Sequence, residues 1–211
     1  FYFQILKLNK KKVASIGTLG VKTNNSFNKL SNTTIDPINL SIILTKLKKK
    51  KIENVIMEAS SHGLEQHRLD GLKFNLGIFT NLSHDHLDYH KSMNKYLMAK
   101  LYLFQNLLIK NKDVITDQSN SQYEILKKIC KKKSLRLNTF SDNNKYSKIK
   151  LKGYRYDKEK LIIEIENKNK DYKISLNLIG KIQIKNLMMA IIAAEKTNLP
   201  FEKIVKCIPK I

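Results

Sequence analysis

Short β-branched runs alternate with helix-patterned stretches along most of the chain, and no other feature of the sequence restricts the fold as strongly. KVASIGTLG (12–20) reads as a strand, DPINLSIILTKLKKKK (36–51) as a helix, NVIMEAS (54–60) as a buried strand and LGIFTNLS (76–83) as another strand. The 36–51 helix carries its own start signal, Asp36 at the capping position followed by Pro37, whose fixed φ and missing N–H suit a first helical turn. MNKYLMAKLYLFQNLLIK (93–110) reads as a long amphipathic helix, and DVITD (113–117) followed by SQYEILKKICKKK (121–133) repeats the strand-then-helix order. This alternation predicts an α/β fold with a mostly parallel sheet flanked by helices. From 147 to 179 the texture changes to KIKLKGYRYDKEKLIIEIENKNKDYKISLNLIG, which alternates in twos between polar turns and predicts a small antiparallel β element. QIKNLMMAIIAAEKTNL and PFEKIVKCIPKI then return to helical spacing. A chain of 211 residues is long enough for one domain with a sizeable core.

Charge and hydropathy narrow the function classes. Forty Lys plus Arg against eighteen Asp plus Glu give a formal net charge of +22, which ordinarily suggests a polyanionic partner. The lysines, however, are scattered in runs among Asn and Ile (LKLNKKK, KLKKKK, KKICKKK), without the interleaved aromatics that a base-stacking surface requires. They read as solvated faces, and no nucleic-acid partner is expected. No apolar run approaches the roughly 18 residues of a bilayer span, and FYFQILKLNKKK places its charges after the apolar part, opposite to a signal peptide. The expectation is a soluble, cytoplasmic, monomeric protein with no membrane partner. Cys130 and Cys207 match no metal or redox spacing and read as reduced, half-buried thiols.

In α/β sheets, ligands collect at the carboxyl ends of the strands. SSHGLEQHR follows the 54–60 strand and HDHLDYH follows the 76–83 strand, so all five histidines (His62, His67, His84, His86, His90) lie in two strand-exit loops. HDHLDYH superficially resembles the His-x-His-x-Asp-His loop of the metallo-β-lactamase fold. Against that reading, Tyr89 separates Asp88 from His90 and no histidine follows His90, whereas a zinc site needs about three or four nitrogen, sulfur or oxygen ligands from the protein.

Taken together, MEASSHGLEQHRLDG (57–71) and FTNLSHDHLDYHKSMNKYLMAK (79–100) resemble the central domain of the Mur ligases, and within that family the ligase that adds the third residue of the peptidoglycan stem peptide. ASIGTLG (14–20), NTTIDP (32–37) and the G-x-x-x-x-x-N-L-x-x-A pattern of GKIQIKNLMMA (180–190) fall in the family's order, so the resemblance covers nearly the whole chain.

The resemblance implies an ATP-dependent amide ligase using ATP and Mg2+, which phosphorylates a carboxylate and lets an amine attack the acyl phosphate. Its partners would be UDP-MurNAc-L-Ala-D-Glu and an amino acid, diaminopimelate or lysine. Glu58, His86 and Lys100 match the catalytic, magnesium-facing residues, Lys100 being the lysine that carbon dioxide converts to a carbamate. Carbamylation replaces a cation with a carboxylate-like anion able to face a divalent metal. Asn32, Thr33, Thr34, Ser60, Gln66 and Arg68 match contacts to the UDP-sugar dipeptide, and Asn186 matches the asparagine near the ATP base. The guanidinium fork of Arg68 suits phosphate or carboxylate.

Plainer roles stay open: a cap or ion pair for Glu58, caps for Thr33 and Thr34, a polar helix start for Asn186. His84 stands where the family often has Arg and is not assigned as a ligand; Asp88 and His90 read as loop-ordering residues. Departures from the family pattern are Gln183 in place of an Asn, and Thr116, Gln118 and Ser119 in place of an Asn and paired Asp. No G-x-x-x-x-G-K-[ST] phosphate loop occurs among the seven glycines. The expectation is that residues 1–211 are a Mur ligase central domain truncated just after that loop, without the N-terminal UDP-binding and C-terminal amino-acid-binding domains, and inactive alone. Alternatives are a sibling Mur ligase, folylpolyglutamate synthase, or a non-catalytic ligase-like binding domain. The ASSHGLEQHR loop favours the third-residue ligase.

Overall fold

The computed structural model describes residues 1–29, 34–141 and 148–211. Its backbone forms two compact units: Lys10–Asn75 with Leu82–Ile109, and Phe1–Asn9 with Leu76–Asn81 and Lys110–Ile211.

The first of these units is built on a four-stranded sheet of order β3-β2-β1-β4, with β1 at Val13–Gly17, β2 at Gly20–Thr23, β3 at Phe27–Asn28 and β4 at Asn54–Met57. β1 runs parallel to β4, pairing Val13 with Asn54 and Ile16 with Met57, and antiparallel to β2. The stretch 12–20 is therefore not one strand: the chain reverses at Thr18–Leu19 and re-enters the sheet at Gly20. Gly20 has φ +112, and a Cβ there would lie 2.2 Å from the Asn28 carbonyl oxygen, so the reversal requires glycine. The crossover from β1 to β4 contains helix α2 (Pro37–Lys49), which starts where Asp36 and Pro37 predict, the Asp36 carboxylate accepting from the Ile38 and Asn39 amides. Ala14, Ile16, Leu40, Leu47, Leu64 and Leu69 form the centre of the core. Burial of each such leucine contributes on the order of 1.5–3 kcal/mol.

Three helices complete this unit: α3 (Ser61–Glu65), α4 (Leu87–His90) and α5 (Met93–Tyr102). The 93–110 helix expected from the sequence is shorter. After Tyr102 the backbone widens into a π-turn at Leu103–Leu107, and strand β6 begins at Leu108. Leu101, Phe104 and Leu107 are all buried and continue a helical spacing through the π-turn, so apolar periodicity could not mark the change.

The other unit carries a six-stranded sheet of order β10-β9-β8-β7-β6-β5, with β5 at Phe74–Phe79, β6 at Leu108–Asp117, β7 at Arg136–Ser141, β8 at Ile149–Asp157, β9 at Lys160–Asn167 and β10 at Lys170–Leu176. β6, β7 and β8 run parallel; β8, β9 and β10 form the antiparallel meander expected for 147–179. Both sheets are thus mixed, within the expected α/β class with flanking helices. β7 follows helix α6 (Tyr123–Lys133) through Ser134 in the left-handed region, φ 55, and its alternation in RLNTFS is too polar to read as a strand. Helix α7 (Lys181–Glu195) is buried at nine positions and packs on α1 (Tyr2–Leu8); α8 (Phe201–Cys207) follows it. Cys130 and Cys207 are buried free thiols. Among the described residues no helix is long and apolar enough to cross a membrane.

A candidate functional site at the ends of two strands

Glu58 directly follows β4, and its carboxylate is held from across the sheet. Its Oε2 accepts from both the backbone amide and the hydroxyl of Thr18, each at 2.9 Å, and Thr18 itself directly follows β1. The two parallel strands therefore deliver the donor and the acceptor to the same sheet end. Gly17 makes room for this: a Cβ at that position would lie 2.6 Å from Glu58 Oε2 and 2.8 Å from Glu58 Cβ. The carboxylate stays exposed while its orientation is fixed.

Behind Glu58 the chain is pinned by Thr34, which is 3% exposed. The Thr34 hydroxyl accepts from the Ser60 amide at 2.9 Å and lies 2.8 Å from the Ser60 hydroxyl and 3.2 Å from the Glu58 carbonyl. Ser60 in turn caps α3, accepting from the Gly63 amide at 3.1 Å. A Cβ on Gly63 would lie 2.5 Å from the Thr34 methyl, so this approach also demands glycine. Arg68 donates from Nη1 to the Thr34 carbonyl at 2.7 Å and from Nε to Gln66 Oε1 at 2.8 Å, and Gln66 donates from Nε2 to the Tyr89 hydroxyl at 2.9 Å. Thr34, Ser60, Gln66 and Arg68 are thus brought into one network that reaches the HDHLDYH loop. Asn32 and Thr33 lie outside the described residues.

The histidine loop packs by ring contacts. His62 on α3 lies 5.1 Å from His86, 4.0 Å from Tyr89 and 5.2 Å from His90, centroid to centroid. His90 is buried, bonds Ser61 Oγ through Nε2 at 2.9 Å and stacks on Tyr96 at 5.1 Å with 22° between the rings. Burial holds its pKa below the usual histidine value; Glu65 opposes that shift, and His62 and His86 reinforce it. This agrees with the loop-ordering role read for His90. His86 is exposed, in the left-handed region at φ 56, and lies with its ring edge toward Tyr96 at 5.8 Å.

Lys100 stands on α5 one turn beyond Tyr96, half-buried, with Nζ 4.9 Å from the Tyr96 ring centroid. Burial lowers the pKa of its ammonium, and the charge of Asp85 offsets part of that shift. His86 and Lys100 therefore meet at one aromatic ring, within the same unit as Glu58. Asn186 belongs to the other unit, half-buried on α7, with Nδ2 3.5 Å from Gln183 Oε1. Thr116, one of the departures from the family pattern, is buried and donates to the Phe79 carbonyl at 2.9 Å, a role internal to the sheet. Beside it the buried Asp117 carboxylate pairs with Lys185 and accepts from the Ser119 hydroxyl at 2.7 Å.

Among the described residues no group of three or more His, Cys, Asp or Glu side chains could hold a metal ion. A magnesium ion bound through one or two carboxylates, with water and phosphate oxygens completing its shell, needs no such cage. The oriented, exposed Glu58 carboxylate fits that kind of coordination. Sequence reading missed Thr18, Ser61, Asp85 and Tyr96. Two of them carried a signal: Thr18 closes a strand ending in glycine, and Tyr96 sits four residues before Lys100 on a predicted helix.

Comparison with known proteins places this architecture. The Mur ligase middle domain matches residues 3–194. UDP-N-acetylmuramoyl-L-alanyl-D-glutamate--2,6-diaminopimelate ligase of Chelativorans sp. (strain BNC1) is 35% identical over 192 residues, covering 91% of this chain and 39% of the relative. The enzyme of the same name from Zymomonas mobilis subsp. mobilis is 36% identical over 187 residues, covering 89% of this chain and 38% of the relative. A solved structure of a ligase with that name superimposes with a TM-score of 0.88 at 25% identity, over 100% of this chain and 43% of the other. The chain thus spans about two fifths of the length of these relatives, and it belongs to the Mur ligase middle-domain family.

Proposed function

We infer that this chain is the central segment of an ATP-dependent amide ligase that adds the third amino acid to UDP-MurNAc-L-Ala-D-Glu in peptidoglycan synthesis. The observation that carries the reading is that one compact unit holds an exposed carboxylate fixed by a strand-end threonine, an exposed histidine, and a lysine whose cationic form is disfavoured by burial, the three residues that the sequence resemblance assigns to magnesium. The amino acid added is diaminopimelate or lysine, and the names of the relatives support diaminopimelate.

In this reading a carboxylate of the UDP-sugar dipeptide attacks the γ-phosphorus of ATP, ADP leaves, and an acyl phosphate forms. The amine then attacks the acyl carbon, and inorganic phosphate leaves. Magnesium, when bound, would neutralise phosphate charge during transfer. Glu58, His86 and carbamylated Lys100 are the residues assigned to hold it. Thr18 keeps the Glu58 carboxylate aimed before any ligand arrives, so less ordering is left to binding. Arg68 and Gln66, already tied to Thr34 and Tyr89, offer their remaining donors to an anionic substrate from a fixed frame, with Asn32, Thr33, Thr34 and Ser60 as its other contacts. Asn186 is assigned to the ATP base.

The test is a chimera in which this chain replaces the matching segment of the Chelativorans ligase. ATP-dependent joining of diaminopimelate or lysine to UDP-MurNAc-L-Ala-D-Glu, lost in Glu58→Ala, is the expected result. A folded chimera that binds ATP but hydrolyses it without regard to either substrate, or whose ligation survives Glu58→Ala, contradicts the reading.

A further inference from the structure

The two segments that depart from the family pattern, one around Thr116–Ser119 and one around Gln183, meet in the fold through Lys185, a residue with no role in the function proposed above. Asp117 ends β6 and is 5% exposed. Its Oδ1 accepts from the Ser119 amide at 2.8 Å and its Oδ2 from the Ser119 hydroxyl at 2.7 Å, and Oδ2 also pairs with the Lys185 ammonium. Lys185 Nζ donates in turn to Ser119 Oγ at 2.8 Å, closing a ring of three side chains within one unit. Helix α7 starts at Gly180 with no side-chain cap and no acidic residue in its first turn. A cation so near the positive end of a helix is unfavourable by itself, and the buried Asp117 carboxylate offsets it. An Asp at position 119, as in the family pattern, would set a second carboxylate against Asp117; serine donates to it instead. A further long-range contact holds the helix start, the Gly180 amide donating to the Tyr156 hydroxyl at 3.1 Å.

We propose that Lys185 is a positioning residue for nucleobase recognition: tied to Asp117 and Ser119, it fixes the first turns of α7 against the carboxyl end of β6 and so sets where Gln183 and Asn186 present their amides. The inference rests on the assignment of Asn186 to the ATP base. Lys185 lies between those two residues, which are joined from Asn186 Nδ2 to Gln183 Oε1 at 3.5 Å. That bond leaves Gln183 Nε2 as a donor and Asn186 Oδ1 as an acceptor. Adenine offers the complement, its N7 acceptor beside its N6 donor, whereas guanine offers two acceptors, N7 and O6. Two amides on adjacent turns tell these patterns apart only while their placement is held, and an uncapped helix start does not hold it without an outside tie.

Steady-state ligation by the chimera with the Chelativorans ligase, driven by ATP or by GTP, tests this. Lys185→Met keeps the stem and removes the charge. It should raise KM for ATP about three- to tenfold, within the range for coupling inside one hydrogen-bond network, and lower the preference for ATP over GTP. Its kcat and its KM for the UDP-sugar dipeptide should stay at the parent's values, the split expected when only nucleotide binding is weakened. Lys185→Arg, which can reach the same carboxylate, should follow the parent. Asp117→Asn keeps the shape but not the ion pair and should reproduce Lys185→Met, and it is read in place of that variant if Lys185→Met does not fold. The double variant should be no worse than either single one. A folded Lys185→Met or Asp117→Asn with the parent's KM for ATP and nucleotide preference, or with KM for the dipeptide raised in equal proportion, overturns the proposal alone. A parent chimera without preference for ATP over GTP, its KM for ATP unmoved by Asn186→Ala, overturns the assignment of Asn186 to the base and this proposal with it.

Discussion

Replacing Thr34 by valine keeps the shape of the side chain and deletes one hydroxyl that serves three groups. In the parent that hydroxyl accepts from the Ser60 amide at 2.9 Å and lies within bonding distance of the Ser60 hydroxyl and the Glu58 carbonyl, all at a residue 3% exposed. Valine offers neither donor nor acceptor, and its second methyl would face the Ser60 N–H. Leaving one such partly buried group unpaired costs about 1–3 kcal/mol. For a chain of this size each kcal/mol corresponds to roughly 2–4 °C, so Tm should fall by about 2–12 °C. Thr34→Ser retains the hydroxyl and loses only the methyl packed against Gly63, a cost of about 1 kcal/mol. Scanning calorimetry of the three proteins decides the matter. A Thr34→Val Tm within about 1 °C of the parent, or a larger loss in Thr34→Ser than in Thr34→Val, would refute the claim that this hydroxyl pins the Glu58–Ser60 segment.

His90 has a pKa lowered by burial from the ordinary 6.5, so the unfolded chain binds its proton first as pH drops. Stability should therefore be full above about pH 6.5 and decline as pH falls from there through the folded-state pKa; Tm measured against pH should show a shallower acid slope in His90→Gln. Metal analysis of the purified chain should find no stoichiometric zinc, and one tightly held zinc per chain, lost on combined His84→Ala and His90→Ala, would revive the metallohydrolase reading. Without a glycine-rich phosphate loop in its sequence, this chain alone should not turn over ATP; steady phosphate release above a Glu58→Ala control would contradict that.

Much of the architecture was legible because it depends on local signals. Asp36–Pro37 marked the start of α2, and the two-residue alternation of 147–179 marked the meander. What stayed hidden depends on contacts distant in sequence. The reversal at Thr18–Leu19 is set by the close approach of Asn28 to Gly20, and the change at Leu103 leaves the apolar spacing intact. The strand β7 has a polar sequence because Asn138 and Arg136 satisfy the buried Asp113 of its neighbour. At the site, the motif marked Glu58, His86 and Lys100, but what orients them comes from residues 40 positions away in the case of Thr18 and from ring packing in the case of Tyr96. Motif spacing records which residues recur; it does not record which neighbour holds them in place.

The assignment of Lys100 as an anion bears most directly on the ligase reading, and it can be tested in the chimera by comparing Lys100→Arg with Lys100→Ala. Arginine keeps the positive charge but cannot form the carbamate, so an ordinary phosphate-contacting lysine would tolerate it in part. The account predicts that both variants lose ligation to the same degree, and that a short carboxylic acid added to Lys100→Ala restores part of it by supplying the missing carboxylate. Near-normal ligation by Lys100→Arg would contradict it.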